Sequence, residues 1–191
     1  MHKTRTCCSR LRTARTRSEL SAFLFEEVSS FTLHDLQHLR GVLEHEFKDL
    51  PPYYRKKLYP KAMEQIFGTH HTLIHMYRSG RLSHLNAPLD PLFTEFCDMV
   101  EKTVLPEPDK KKQRLDLLYY LLAAFNLFVI DLPGHPIGTP FPGGMTVEQK
   151  NGEYLCPVQG KTEGVENSIC PFCSAINPFD EGIGGKQKRK K

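Results

Sequence analysis

Leu33, Leu36, Leu39, Leu43 and Phe47 recur at three- and four-residue steps behind Thr32, and Asp35 stands three places after that threonine. Apolar positions spaced this way share one face of a helix, and a threonine with an acid three residues on marks its start. An earlier segment, Glu19 to Val28, carries Leu20, Phe23 and Leu24 and predicts a shorter helix. At Leu50-Pro51-Pro52 the pattern stops, because proline offers no amide donor and turns the preceding residue out of helical geometry. Tyr53 to Tyr59 reads as a short helix ended by Pro60. Pro60 then opens a longer helix through Met63, Ile66, Phe67, Leu73, Ile74 and Tyr77, closed by Gly80. Asp90-Pro91 repeats the start signal before Leu92, Phe93, Phe96, Met99 and Val100. Glu107-Pro108-Asp109 opens the last helix, basic in its first turn (Lys110, Lys111, Lys112) and apolar on nearly every side in its second half. A helix apolar all round belongs at the centre of a bundle.

After Asp131 the pattern changes. Leu132 to Gly144 holds four prolines and four glycines, which suits neither a long helix nor a central strand. Asn151-Gly152 then separates Met145–Lys150 from Glu153–Cys156, the strongest short signal for a β-hairpin, since both turn positions need positive φ. The expected fold is mostly α, a helical domain with a small C-terminal β-hairpin and a cysteine-knuckle metal module. Its expected divisions are a basic, disordered arm (1–17), a helical domain (18–132), a Pro/Gly loop, hairpin and cysteine module packed on the helices (133–179), and a basic, disordered tail (180–191).

Charge follows those divisions. The chain has 191 residues and a formal charge of +4, yet Met1–Arg17 and Lys186–Lys191 together hold 11 of its 26 basic residues and no acid. Ser18–Gly185 carries 15 basic against 22 acidic residues, a formal −7. Nucleic-acid binding is therefore a question about the tails alone, whose basic residues can supply salt-sensitive contacts to phosphate or serve only to solubilise. The longest apolar run, Leu117 to Ile130, spans 14 residues where a bilayer span needs about 20, so no membrane anchor is expected. The N-terminus resembles a transit peptide in composition but has no apolar core or cleavage site of a secretory signal, and a cytoplasmic location is expected.

Of six cysteines, Cys156, Cys170 and Cys173 form a pattern: CPV, a polar connection, then CPFC. A C-x-x-C turn puts two thiolates on one side of a tight knuckle, and a third at the end of a hairpin completes three corners of a tetrahedron. Soft thiolate clusters favour zinc or an iron–sulfur cluster, and a reducing compartment disfavours the alternative of a structural disulfide. A zinc ribbon would show two C-x-x-C knuckles; the first here has one cysteine, so the fourth corner comes from elsewhere or stays open. His135, in the Pro/Gly loop 21 residues before Cys156, is the first choice. His70 and Cys97 lie on apolar helix faces and read as core. An open corner would permit catalysis, whereas three cysteines with His135 would make a closed structural site.

Other candidates carry less. His34, His38 and His45 share a polar helix face without a cysteine or carboxylate partner. His71 and His75 lie i, i+4, but HHTLIH lacks the acid of HEXXH. GTPFPGG (138–144) has too few amide donors for a phosphate cradle and leads into a strand.

The residues HPIGTPFPGGMTVEQKNGEYLCPV with the following CPFC, and the earlier FKDLPPYYRKKLYPKAMEQIF, resemble an archaeal family, domain-of-unknown-function family 2115. The likeness covers about Ser18 to Asn177. It carries over His135, Gly138, Pro140, Phe141, Pro142, Gly143, Gly144, Tyr154, Cys156, Pro157, Cys170 and Cys173, and implies a soluble intracellular archaeal protein without bringing an activity. The leading expectation is a metal-binding protein, with structural zinc held by Cys156, Cys170, Cys173 and His135, acting as an interaction module for a protein partner. The alternatives are an iron–sulfur or metal-dependent or thiol enzyme with an open site near GTPFPGG, and a nucleic-acid binder acting through the tails.

Overall fold

The computed structural model describes residues 2–161 and 165–179, with side chains from Thr4 onward. Seven α-helices lie within the described residues: α1 His2–Leu11, α2 Arg17–Ser29, α3 Leu33–Glu46, α4 Pro52–Met63, α5 Thr69–Arg78, α6 Leu92–Val104 and α7 Lys110–Ala124. Their starts follow local chemistry. Thr32 accepts from the Asp35 N–H at 3.2 Å while Asp35 accepts from the Thr32 N–H at 2.8 Å, and Thr16 with Glu19 makes the same reciprocal cap on α2. Asp109 accepts from the Lys111 N–H at 2.8 Å at the head of α7. Gly80, at φ +72°, closes α5, with its N–H on Tyr77 O and the Arg81 N–H on Met76 O. Only a residue without Cβ takes that left-handed turn freely.

The second half of α7 continues into a π-helical turn, Phe125–Val129, and this rod is the centre of the molecule. Leu117, Leu118, Leu121, Leu122, Phe125, Leu127, Phe128 and Val129 are all buried. Around it α2 packs against α5, α7 and the π turn, while α6 packs against α7 and α1. Phe96 of α6 meets Phe128 edge to face at 5.2 Å and Phe172, from the C-terminal segment, at 5.3 Å. Such tilted ring contacts stabilise beyond the area they bury. Asn126, buried in the rod, donates to Thr69 Oγ1 at 3.0 Å, so its amide is not orphaned.

The structure corrects three expectations about the helices. Residues 2–17 are not an unstructured arm: His2–Leu11 is helical and buries Cys7 and Cys8 at 2% exposure and Leu11 at 1%. Three of the segment's five arginines are held by body acids, Arg10 by Glu26 and Glu27, Arg12 by Asp98 and Glu101, and Arg17 by Asp131. The acidic body gathers the basic segment onto itself. Second, Pro60 does not divide two helices. It lies inside α4, which runs through a π turn at Glu64–Gly68 into α5. Pro60 and Lys56, whose carbonyl loses its helical donor, are both exposed, so water can satisfy the lost bond. Third, Leu33 is 72% exposed, and of the α3 stripe only Leu39 is buried.

The hairpin forms as expected, with β1 Glu148–Lys150 antiparallel to β2 Glu153–Leu155 and Gln149 opposite Tyr154. Asn151 and Gly152 take φ of 53° and 81°. GTPFPGG folds into a tight reversal, with Phe141 N–H on Met145 O at 2.8 Å and Val147 N–H on Thr139 O at 3.1 Å. This segment builds its own small core of Val147, Cys156 and Ala175. Polar links dock it on the helices: Tyr54 Oη donates to Pro140 O at 3.0 Å and Tyr120 Oη to Asn167 O at 3.1 Å. The expected C-terminal tail, 180–191, lies outside the described residues. Among the described residues no helix is long and apolar enough to cross a membrane.

Candidate metal centre

Three chain segments meet beneath the hairpin. The first leaves the central rod at Asp131 and carries Gly134 and His135. Gln65, at the π turn after α4, donates through Nε2 to Gly134 O at 2.6 Å, while the Gly134 N–H points to Cys173 Sγ at 3.3 Å. A Cβ on residue 134 would come within 2.7 Å of Ile169 Cδ1, so a side chain there would require the isoleucine to shift. The second segment follows β2: Cys156 donates its N–H to Ile176 O at 2.8 Å, and Ile176 returns a bond to Tyr154 O at 2.9 Å. The third is the short 3-10 turn Cys170–Phe172, held down by Phe172 in the aromatic cluster.

The result is one small cavity lined by His135, Cys156, Cys170 and Cys173 together with Pro133, Gly134, Val147, Gln159, Ile169 and Ala175. Its free space has room for about one water-sized occupant. Every sequence-predicted ligand thus reaches the same cavity, with His135 and Cys173, the most distant pair, 38 residues apart in sequence. Among the described residues, however, no three His, Cys, Asp or Glu side chains stand where they could hold a metal ion. The expected metal module is therefore not shown: the four candidate donors line one cavity without forming a coordination shell. Cys156 packs with Val147 and Ala175, and Cys173 packs against the same cluster while its sulfur accepts from the Gly134 N–H.

Burial favours the uncharged form of the cavity's donors. Burial pushes the Cys156 thiol up, and the neighbouring Cys173 and Cys170 push the same way, while the N–H groups of Val158 and Gln159 pull it down. Burial pushes His135 down, toward the neutral imidazole. Its ring stands edge-on to Phe141 at 5.6 Å. Ser174, which directly follows Cys173, has a buried hydroxyl without a hydrogen-bond partner. Three thiols, one imidazole and sulfur-directed amides form a donor set that fits zinc.

Among the described residues, the remaining cysteines and histidines do not line this cavity. Cys97 is buried at 1% exposure, with desolvation raising its thiol to about 12, as the core reading expects. His34, His38 and His45 are exposed on α3. His70 is half-buried, and burial lowers it. His71 and His75 stack at 6.1 Å on the surface. Sequence reasoning passed over two residues that shape the centre. Gln65 gave no signal. Gln159 did: CPVQ repeats the spacing of CPFC with glutamine at the last place.

The description that matches the chain is "Uncharacterized protein conserved in archaea (DUF2115)", over residues 16–177. The chain is 23% identical to a UPF0305 protein of Methanothermobacter thermautotrophicus over 165 residues, 86% of this chain and 98% of the relative. It is 27% identical to a UPF0305 protein of Methanocaldococcus jannaschii over 158 residues, 81% of this chain and 92% of the relative. A UPF0305 protein of Methanopyrus kandleri is 33% identical over 97 residues, half of this chain. No solved structure matches.

Proposed function

The chain belongs to the DUF2115 family conserved in archaea, and from that premise and the cavity beneath the hairpin we propose that it binds one metal ion, zinc, in a structural role. The observation that carries this reading is the convergence of Cys156, Cys170, Cys173 and His135 on one cavity. Its size favours one of the alternatives. Space for about one water-sized occupant suits a single ion, whereas an iron–sulfur cluster or an enzyme's substrate needs more. Bound zinc would supply four short ligand bonds tying the loop, the hairpin and the 3-10 turn together, in a segment whose own apolar core is three residues.

The role we assign to the metal-tied segment is to present a surface to a protein partner. Exposed Ile137, Val165, Ile176 and Phe179 all lie after residue 132, against exposed Leu33, Tyr53 and Leu132 up to that point. The N-terminal arginines give less support to a nucleic-acid reading, because Arg10, Arg12 and Arg17 already pair with body carboxylates. Elemental analysis of protein purified without oxygen tests the metal reading. It should return about one zinc per chain and no visible absorption. A brown sample containing iron and sulfide would replace zinc with redox chemistry, and metal-free protein that folds normally would overturn the reading.

A further inference from the structure

The two turns that bring cysteines to the cavity are built alike. Cys156-Pro157-Val158-Gln159 and Cys170-Pro171-Phe172-Cys173 share spacing, a proline at the second place and an apolar residue at the third. Each is closed by the fourth residue's N–H on the first residue's carbonyl, and both bonds are 3.1 Å: Gln159 to Cys156 and Cys173 to Cys170. Gly160, at φ +80°, turns the chain away after the first. The first and fourth residues of both turns line the same cavity. Gln159 therefore stands, within the first turn, where Cys173 stands in the second.

Its side chain is engaged. Gln159 is 6% exposed, and its Nε2 donates to Cys170 O at 3.0 Å, joining the first turn to the second. Asn177 Nδ2 in turn donates to Gln159 O at 3.0 Å. A buried amide committed to a carbonyl in this way clamps the two turns in register.

We propose that the cavity is a two-knuckle metal site in which Gln159 occupies the fourth knuckle corner as a clamp between the turns, so that the fourth ligand is recruited from outside the knuckles, as His135. This rests on the zinc reading above. Gln159 is a positioning residue, and its backbone place is that of a ligand. A cysteine there would complete a four-thiolate site and release the centre from its dependence on His135.

Zinc content and competition against a chelator, read on the wild-type chain, His135→Ala, Gln159→Cys and the double variant, test this directly. His135→Ala should lose roughly tenfold or more in zinc affinity. The double variant should regain about one zinc per chain and wild-type-like affinity, and with cobalt in place of zinc it should show stronger sulfur-to-metal absorption than the wild type. Gln159→Ala should still bind zinc through the other four residues, which separates a clamp from a ligand should the cysteine variants fold poorly. A double variant that folds but stays as metal-poor as His135→Ala overturns the inference while leaving the zinc reading standing. So does Gln159→Ala that loses zinc as completely as a ligand variant. A wild-type chain without metal removes both.

Discussion

In the helical body, α7 and the π turn after it are enclosed by apolar side chains from Leu115 to Val129, and α2, α5 and α6 close around them. In the segment from Pro133 to Asn177, the separate core is Val147, Cys156 and Ala175, and most of the fixing is done by backbone turns and side chain-to-carbonyl bonds. The body holds itself by area removed from water, at about 25 cal/mol per Å². The C-terminal segment buries too little for that and has cysteines where a larger domain would have leucines. Small units with thin cores commonly need a metal or a disulfide, and on the zinc reading proposed above the four donors around one cavity would be this segment's means.

Ile169 and Phe172 both cross the boundary between the two regimes, and removing Phe172 has the largest expected effect. Phe172 sits next to Cys173 yet belongs to the body's aromatic cluster, 5.3 Å from Phe96 and 6.5 Å from Phe128. Phe172→Ala should cost about 3 to 5 kcal/mol in denaturant unfolding and free the 3-10 turn from the helices. If its effect were confined to metal affinity with stability unchanged, the segment would be docked by something other than this ring.

A smaller effect should stay within the body. Arg114 lies over the Phe31 ring at 4.1 Å and bonds Asp35, holding that carboxyl down at about 2. The folded value lies below the unfolded one, so this stabilisation is present above about pH 4 and is lost as pH falls toward 2. Allowing for solvent around the pair, the amount is about 1 kcal/mol. Asp35→Asn should flatten that part of the stability profile between pH 5 and 2 without altering metal content. A change in metal content would show that the two regions are not independently held.

What could be read from the sequence follows the same division. The helix starts at Thr32 and Asp109, the stop at Gly80 and the turn at Asn151-Gly152 were legible because each is decided by neighbouring residues. The convergence of His135 with the cysteines was legible from donor chemistry and spacing. The helix α1 was not. Its apolar residues are few, and what fixes it lies far along the chain, as in Arg12 with Asp98 and Glu101. Pro60 misled because sequence alone does not show that the orphaned carbonyl faces water. Gln159 was overlooked because its equivalence to Cys173 rests on the matching backbone bonds of the two turns.

Amide hydrogen exchange with and without a tight zinc chelator compares the two regions in one sample. Metal removal should speed exchange in β2 and in the turns at Cys156–Gln159 and Cys170–Cys173, while α7 and the π turn after it keep their protection. Unchanged protection in both turns after complete removal of the metal, or a chain that never held any, would contradict the account.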